Sequence, residues 1–574
     1  MKRPPPKGTI ASCCAIACAS AFACVPAQML AQKKLQSIVK SCQEDSVRVG
    51  LPRAFNERPI RNVDIVTHGP RSLRVVGAAL DRLHTRTRVG TIRRELLFSP
   101  GGRLDSLDVA ESLRRLRSLG FLDDAFIVAR SCNSATDGDS VDVTVVTRDA
   151  WSTSATAATH SSGGSVGITE RNLLGTGRTL RVGLQADHNG FNRSISLRDP
   201  ALFGTDLIGD IRLSQFSHGA SWQVALATRR RALVDPWIFD ARVFSYDRGQ
   251  RDLITGASKR VSISGTIGRR ITDVEASSAV YFLTGAEGLN SRFSAAPNQF
   301  TIGPPQRDRR YVGALVGLAV QATHFDTLSW LLPSGGIVDV PKGVETQFVV
   351  GPGRDLLNHQ YAAHLDSWIG AAHTIGSKSV VYSDAWISAF VGNSELEQTS
   401  MRASVVTVRS AWRGTWSLHV TGDHMRSLDP DIRLMPSVDV TSRLLPTDFR
   451  MANDAVAFAA ERSVHLREII RGSMIDAALF AAASLRHEPS SSQFAFPQLT
   501  TGQVLPARAS VDASVIAFGT GLRLLPSRSP RSTVRLDIGL ASIKTIGVKN
   551  KPYIAISVVP WIGAGRRRDA NRQQ

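Results

Sequence analysis

The chain has 574 residues, a formal net charge of +20 and a hydrophobic content of 43%. After the first 27 residues no run of about 18 apolar residues occurs, which excludes a membrane protein built from several transmembrane helices. Of the six cysteines only Cys42 and Cys132 lie beyond the N-terminal apolar segment, which excludes a cysteine-ligated metal site. These two thiols are compatible with one disulfide in an oxidising compartment and equally with two buried thiols.

Residues 1–27 have the pattern of a secretory signal peptide. Lys2, Arg3 and Lys7 precede an apolar stretch at residues 10–24, and small residues around Ala27 form a cleavage site. Secretion makes nucleic acid an unsuitable partner for the basic chain. A basic lumen or contact with anionic lipid explains the charge, and so does an arginine-rich genome composition. Residues 28–57 are predicted to be a linker.

Residues 58–148 predict a small α/β module. The spacing of apolar residues predicts a strand at 61–66, helices at 73–83 and 91–98, and a third helix that begins at Asp105 or Ser106 and ends at Gly120. Residues 125–130 and 141–147 predict a hairpin around Gly138. We expect a mixed sheet with the helices on one face. The apolar face of the third helix is predicted to contain Leu107, Val109, Leu113, Leu116 and Leu119.

From Trp151 onward, polar and apolar residues alternate in many short segments separated by Gly, Asp, Asn and Pro. Alternation alone fits a soluble sandwich as well as a transmembrane barrel. The secretion signal and the number of segments favour an antiparallel barrel over residues 151–563, followed by a basic C-terminal tail at 564–574. Aromatic residues near predicted strand ends point the same way, namely Trp237, Tyr281, Trp386, Trp416 and Trp561.

Four segments carry a family resemblance. Residues 107–122 resemble the second helix and following turn of a POTRA domain, and residues 147–151 resemble its exit into a barrel. Residues 172–177, with Asn172, Gly175 and Gly177, resemble the first periplasmic turn of the BamA/TamA family of outer-membrane assembly factors, and residues 199–204 resemble its next turn. The resemblance implies a 16-stranded barrel in the bacterial outer membrane and a POTRA domain in the periplasm. It also implies a lateral seam between the first strand, near Trp151, and the last strand, near Tyr553.

One motif of the family is incomplete in this chain. The family's barrel is plugged by a loop with a Val-Arg-Gly-aromatic motif, and the best match here is Arg443 between Ser442 and Leu444. The glycine and the aromatic residue of the motif are missing. Arg443 is therefore a candidate plug-loop residue that could pair with a carboxylate in the lumen, or equally an exposed loop cation.

The resemblance implies a protein that inserts or translocates polypeptides without a nucleotide or other cofactor. We expect an unfolded outer-membrane or secreted client to pair with an exposed strand edge of the module, at Val141, Val143, Thr144 and Val145. Outer-membrane lipid is a further expected partner, together with periplasmic chaperones or lipoproteins. The alternative is a pore or passive structural barrel, which the incomplete plug motif favours.

No enzymatic activity is predicted. The segment from Gly163 to Gly167 matches the Gly-x-Ser-x-Gly pattern, but strand-like residues follow it where a nucleophile elbow needs a helix. No motif for a metal or a nucleotide occurs.

Overall fold

The computed structural model describes residues 43–47, 57–70, 85–131 and 140–559, the last range apart from 161–162, 188–189, 230–234, 250–256, 274–276, 295–307, 332–336, 393–394, 428–453, 471–472, 489–510, 526–532 and 544–547. Several predictions fall outside the described residues. These are the signal peptide, the helix at 73–83, the turn at Gly138, Cys42, Cys132, Arg443, Trp561 and the basic tail.

The N-terminal module, residues 43–149, is a four-stranded mixed sheet with helices packed against it. Its strands lie in the order β1-β3-β4-β2, with β4 antiparallel to β3 and parallel to β2. The mixed sheet, the first strand and the hairpin were predicted. The elements are β1 (Gln43–Val47), β2 (Ile60–His68), α1 (Val89–Arg93), α2 (Ser106–Ser118), β3 (Leu122–Ser131) and β4 (Val141–Asp149).

Strand β1 corrects the prediction of a linker at 28–57. Gln43 is in register with Ser131 of β3, and Val47 with Ile127, so this part of the linker is an edge strand of the sheet. The sequence of β1 has little apolar character, and its backbone pairing with β3 is the interaction that makes it a strand.

Helix α2 covers the sheet with Val109, Leu113 and Leu116, which are all buried. The prediction of Leu107 on the same face is wrong, since 66% of this residue is exposed. The Asp105 side chain accepts a hydrogen bond from the Leu107 amide (2.9 Å) and caps the helix, which places Leu107 in the first turn on the solvent side. Helix α2 ends at Ser118, two residues before Gly120, and α1 ends at Arg93 rather than at residue 98.

Twenty further strands form one antiparallel sheet that closes into a barrel, with β26 next to β5 and β9 next to β10. The resemblance implied sixteen strands, and this number is wrong. Strands β15 and β16 leave the barrel wall and pair with each other as a separate hairpin between β14 and β17.

The strands that follow the module are β5 (Thr153–His160), β6 (Gly163–Leu173), β7 (Arg178–Asp187), β8 (Gly190–Asp199), β9 (Leu207–Phe216), β10 (Gly219–Thr228), β11 (Trp237–Arg248), β12 (Ala257–Arg270), β13 (Ser278–Ser294), β14 (Arg309–Ala322), β15 (Phe325–Leu328), β16 (Val338–Pro341), β17 (Gly343–Asp355), β18 (Gln360–Ile375), β19 (Ser379–Gly392), β20 (Glu395–Ala411), β21 (Gly414–Ser427), β22 (Asp454–Ile470), β23 (Ser473–Glu488), β24 (Val511–Leu525), β25 (Thr533–Ile543) and β26 (Val548–Val559). A short 3-10 turn, Leu202–Gly204, lies between β8 and β9. Among the described residues, no helix combines the length and the apolar character that crossing a membrane requires.

The barrel has two distinct ends, because its strands alternate in direction. The turn between β6 and β7 contacts the N-terminal module, and we call this end the module end; the opposite end is the far end. Since the number of strands is even, the last strand returns to the module end, beside the point where the chain enters the barrel. The turns that join β8 to β9, β10 to β11 and β14 to β17 also lie at the module end.

Large apolar side chains remain exposed along the outer face of the wall, whereas their sequence neighbours face the inside. At the module end, three exposed tryptophans are each paired with an arginine at 5.6 Å from the ring centre. Tryptophan and arginine together are typical of the border between lipid and water. The pairs are Trp237 with Arg269, Trp412 with Arg413, and Trp416 with Arg462.

The aromatic residues predicted at strand ends do not all lie on the outer face near an end of the barrel. Trp237 and Trp416 are exposed near the module end, as expected for an interfacial girdle. Tyr281 is fully buried, and its hydroxyl donates to the carbonyl of Asp235 (2.9 Å). Trp386 lies in the middle of β19. Alternation of polar and apolar residues does not show which aromatic side chain points outward.

Two neighbouring positions in β20 test whether the outer face of the wall contacts lipid. Val405 is exposed on the outer face, and Ser404 donates to Asp384 (2.6 Å) on the inner face. We expect Val405→Arg to destabilise the barrel folded in lipid vesicles by about 2–4 kcal/mol. The control Ser404→Arg places the same charge beside Asp384 and should cost less than half as much. Equal urea midpoints for the two variants in vesicles would contradict a lipid-facing outer wall.

Candidate functional site at the module end of the barrel

The first barrel turn is the main contact between the module and the barrel. It joins β6 to β7, and Gly175 and Gly177 both have positive φ angles, of 73° and 76°. The Gly175 carbonyl accepts hydrogen bonds from the amide of Arg88 (2.9 Å) and the hydroxyl of Thr91 (3.0 Å). The turn predicted from Asn172, Gly175 and Gly177 is therefore also a docking surface for the start of helix α1.

Both glycines are needed for close approach as well as for their backbone angles. A Cβ atom on Gly175 would lie 2.2 Å from the carbonyl oxygen of Arg86, and one on Gly177 would lie 3.1 Å from the ring of Phe121. Phe121 follows helix α2 in the segment that resembles a POTRA domain. The turn that resembles the BamA/TamA family and the segment that resembles a POTRA domain are therefore in contact.

A chain of hydrogen bonds runs from the end of the module sheet into the turn. The backbone amide and hydroxyl of Thr87 donate to the carboxylate of Asp149 (2.9 and 2.7 Å). The side-chain amide of Asn172 donates to the Thr87 hydroxyl (2.9 Å), and its oxygen accepts from the Gly177 amide (2.9 Å). The side chains of Thr87, Asp149 and Asn172 are all buried. Buried polar groups that lose a partner cost about 1–3 kcal/mol each, so this network holds the turn in a single position.

A buried carboxylate forms a second contact between the two parts. Glu95, which follows helix α1, accepts two hydrogen bonds from Arg229 of the turn after β10 (2.6 and 2.7 Å). Arg115 of helix α2 lies 3.6 Å from the same carboxylate. The Glu95 side chain is only 4% exposed, so the contact places a buried carboxylate between two arginines. Sequence reasoning missed this contact because its partners are far apart in the chain.

The β15–β16 hairpin forms a third contact. Asp339 of this hairpin lies 3.2 Å from Arg117 of helix α2, and the guanidinium of Arg114 lies 4.5 Å from the ring centre of Phe325. The opposite side of the hairpin packs on the inner faces of β18, β19 and β20. The buried side chains of this cluster are Leu328, Leu331, Val340, Ala372, Val380, Val406 and Val408.

The hairpin was not predicted. Its two strands have four residues each, and Pro333, Gly335, Gly336 and Pro341 interrupt the sequence around them. Gly and Pro residues so close together indicate a segment that leaves the wall between two long strands. This is the sequence signal that could have identified the hairpin. A hairpin that touches both helix α2 and the inner wall links the module to the interior of the barrel.

The predicted client-binding strand is not an edge of the sheet. Strand β4 pairs with β3 on one side and β2 on the other, and Val141, Val143 and Val145 are buried. The prediction is therefore wrong for these residues and for Thr144, because alternation in β4 reflects a central strand covered on one face. Among the described residues, the sheet ends at β1 on one side and at β2 on the other.

Strand β2 presents polar residues beside its outer edge. Asn62 and Asp64 are exposed, and Arg61 pairs with Asp142 of β4. The pKa of His68, at the end of β2, lies below its ordinary value because of burial and of the nearby Arg148 and Arg86. The imidazole is thus neutral at pH 7.

The inner wall near the predicted seam contains a cluster of ion pairs. Glu461 of β22 accepts from Arg523 of β24 (2.8 and 3.1 Å) and from Arg535 of β25 (2.5 Å). Arg523 also donates to Asp537 of β25 (2.5 Å). Arg523 and Asp537 are buried, so the cluster ties β22, β24 and β25 together across the wall. Tyr553 of β26 is partly buried beside this cluster, and Trp151 lies just before β5 on the other side of the seam.

The described residues show no arrangement for the enzyme motif or for a metal. The segment from Gly163 to Gly167 lies inside β6, between β5 and β7, so a strand continues where a nucleophile elbow would have a helix. Within the described ranges, no group of three or more His, Cys, Asp and Glu side chains could hold a metal ion.

Comparison with known proteins gives structural matches alone. No protein-family model and no curated protein matches the chain. Among solved structures, the crystal structure of BamA from Haemophilus ducreyi lacking POTRA domains 1–3 matches with 12% identity over 94% of this chain and 95% of that chain, at a TM-score of 0.34. CdiB from Escherichia coli matches with 9% identity over 93% and 83%, at 0.38. CdiB from Acinetobacter baumannii matches with 12% identity over 92% and 80%, at 0.35.

The first barrel turn can be tested with two glycines that have similar backbone angles. Gly175→Ala introduces a clash with Arg86, whereas Gly204, with a φ of 78°, has no atom within 4 Å of an added Cβ. Both substitutions should cost about 1–2 kcal/mol for the left-handed backbone. We expect Gly175→Ala also to raise hydrogen exchange at the Arg88 amide about tenfold, because its acceptor moves away. Unchanged exchange at Arg88 in this variant, or an equal rise in Gly204→Ala, would show that the turn does not hold the module.

Proposed function

We propose that this protein is an outer-membrane barrel that assists the insertion or translocation of unfolded polypeptides, as in the BamA/TamA family. In this proposal residues 58–148 are a POTRA-like domain in the periplasm, and the barrel over residues 151–563 spans the outer membrane. The exposed apolar outer face and the three tryptophan–arginine pairs at the module end support the membrane placement.

The observation that carries the proposal is that the seam between β26 and β5 lies between two braced parts of the wall. On one side, the turn after β6 is docked on the module through Asn172, Gly175 and Gly177. On the other side, the Glu461 cluster holds β22, β24 and β25 together. When both flanks are braced, opening of the barrel is directed to the strand pair between them.

Opening of this seam would expose backbone donors and acceptors on β5 and β26. Unpaired strand edges bind other strands, so a client strand could pair with either edge while its apolar side chains enter lipid. No covalent chemistry and no nucleotide is needed for such templating. The energy comes from the client, which buries apolar surface and pairs its backbone as it folds.

The module supplies the first contact with the client. Since β4 is central, we assign client capture to the edge strand β2, where Asn62 and Asp64 are exposed. Strand addition at this edge would present an extended client next to helix α1 and the first barrel turn. Proline substitutions in β4, by contrast, would disrupt the module itself.

Client capture can be tested by site-specific photo-crosslinking. A photoreactive residue at Asp64, on the edge strand, should crosslink to an unfolded barrel protein added to the purified chain. The same group at Leu107, which is 66% exposed on helix α2, is the control for nonspecific contact. We expect a yield at least several times higher at Asp64, lost when a folded client is added. Equal yields at the two positions would rule out capture by β2.

Seam opening can be tested by comparing two locks in the wall. A disulfide that joins β5 to β26 should abolish the acceleration of client folding by protein-containing liposomes, with recovery after reduction. The control disulfide replaces Ala385 and Ala403, which are in register on β19 and β20, and should leave the acceleration unchanged. Full activity with the seam locked would refute lateral opening. Leakage of small solutes without any acceleration would favour the alternative of a pore.

A further inference from the structure

The outer wall of the barrel has an apolar groove close to the far end. It crosses β13, β14, β17 and β18 and has a volume of about 820 Å³. This volume lies within the range of about 300–1,000 Å³ that is usual for small-molecule sites. The floor consists of small side chains at one level of the wall, namely Ala286, Ala314, Pro352 and Ala363.

The groove arises from the register of the strands. Ala286 is directly opposite Ala314, and Pro352 is opposite Ala363, so four small residues adjoin one another on the outer face. Val316 lies two residues from Ala314 toward the module end, on the same face, and is 46% exposed. Toward the far end, Tyr361 is 88% exposed and borders the groove. The depression therefore lies between bulky side chains on a surface that otherwise carries large apolar residues.

Arginines surround the groove on its far-end side. Arg354 lines the groove, and its Nε donates to the carbonyl of His359 in the turn after β17 (3.3 Å). Arg310 on β14 and Arg292 on β13 are exposed on the same face, farther toward the strand ends. Asp308 also lies at this end, where its carboxylate accepts from the Phe293 amide (2.8 Å). Cations on a lipid-facing surface are tolerated only near the water interface, where anionic headgroups can pair with them.

The spacing of the arginines indicates the size of the headgroup. The strands β13, β14 and β17 are adjacent, so Arg292 and Arg354 are about 10 Å apart across the strands. Arg354 is opposite Val312, whereas Arg310 is opposite Asn290, so Arg292 lies four residues farther toward the far end. The backbones of Arg292 and Arg354 are therefore separated by roughly 17 Å. One phosphate does not span this distance. Two phosphates on a bulky headgroup do, and arginine binds phosphate through paired hydrogen bonds.

We propose that the groove binds a diphosphorylated, multiply acylated glycolipid of the leaflet that faces away from the module. One acyl chain lies over Ala314 and Ala363, and Arg292, Arg310 and Arg354 bind the phosphates. Tyr361 lies at the level where acyl chain and headgroup meet, as is common for tyrosine in membrane proteins. This inference rests on the membrane orientation of the proposed function and does not depend on client folding.

The test uses the full chain folded in a nonionic detergent, with lipid A as the probe and native mass spectrometry as the readout. Arg354→Gln removes a phosphate contact, and Ala314→Leu fills the groove. The matched controls are Arg413→Gln, at the module end, and Ala403→Leu, an exposed alanine of β20. We expect each groove variant to bind about tenfold more weakly, with both controls like the unmodified chain. Lipid A without its phosphates should bind weakly to every variant.

Equal binding of lipid A by the groove variants and the controls would overturn the proposal. So would equal binding of lipid A with and without phosphates, or equal retention of phosphatidylglycerol. Circular dichroism of each variant confirms that the barrel is folded. Client folding is measured separately in phosphatidylcholine vesicles without lipid A, where the groove variants should act like the unmodified chain. Loss of client folding in all samples would count against the proposed function and leave the lipid site standing.

Discussion

The Gly175 carbonyl is the point on which the arrangement of the two parts depends. It accepts from both Arg88 and Thr91, and the adjacent glycine backbone leaves no room for a side chain beside Arg86. The network from Asp149 through Thr87 to Asn172 surrounds this contact with satisfied buried groups. Because the chain enters the barrel directly after Asp149, the same few residues fix where the module ends and how the first hairpin of the barrel starts.

Much of this arrangement could be predicted from local sequence. The glycines of the first turn, the cap at Asp105 and the apolar face of helix α2 are short-range signals, and they predicted the turn, the start of the helix and most of its buried residues. The alternation after Trp151 predicted the strands. It did not predict their number, because a period of two is the same in a barrel of any size and in a hairpin that leaves the wall.

The sequence did not show which distant segments and side chains pair with each other. Strand β4 has a regular alternation of buried and partly buried residues, and it was expected to be an exposed edge. Alternation reports which side of a strand is covered, whereas the position of a strand within its sheet depends on which segments pair with its backbone. The ion pairs of Glu95 with Arg229 and of Glu461 with Arg523 join residues 134 and 62 positions apart, and no spacing rule connects them.

The β15–β16 hairpin extends the contacts of the module over one part of the rim of the barrel. The described contacts join the module directly to the turns after β6 and β10 and, through the hairpin, to the inner faces of β18, β19 and β20. A tilt of the module would therefore move this long arc of the rim as one piece. Strain from such a tilt would collect where the arc meets the remaining strands, and β5 with its neighbour β26 forms one of those two junctions.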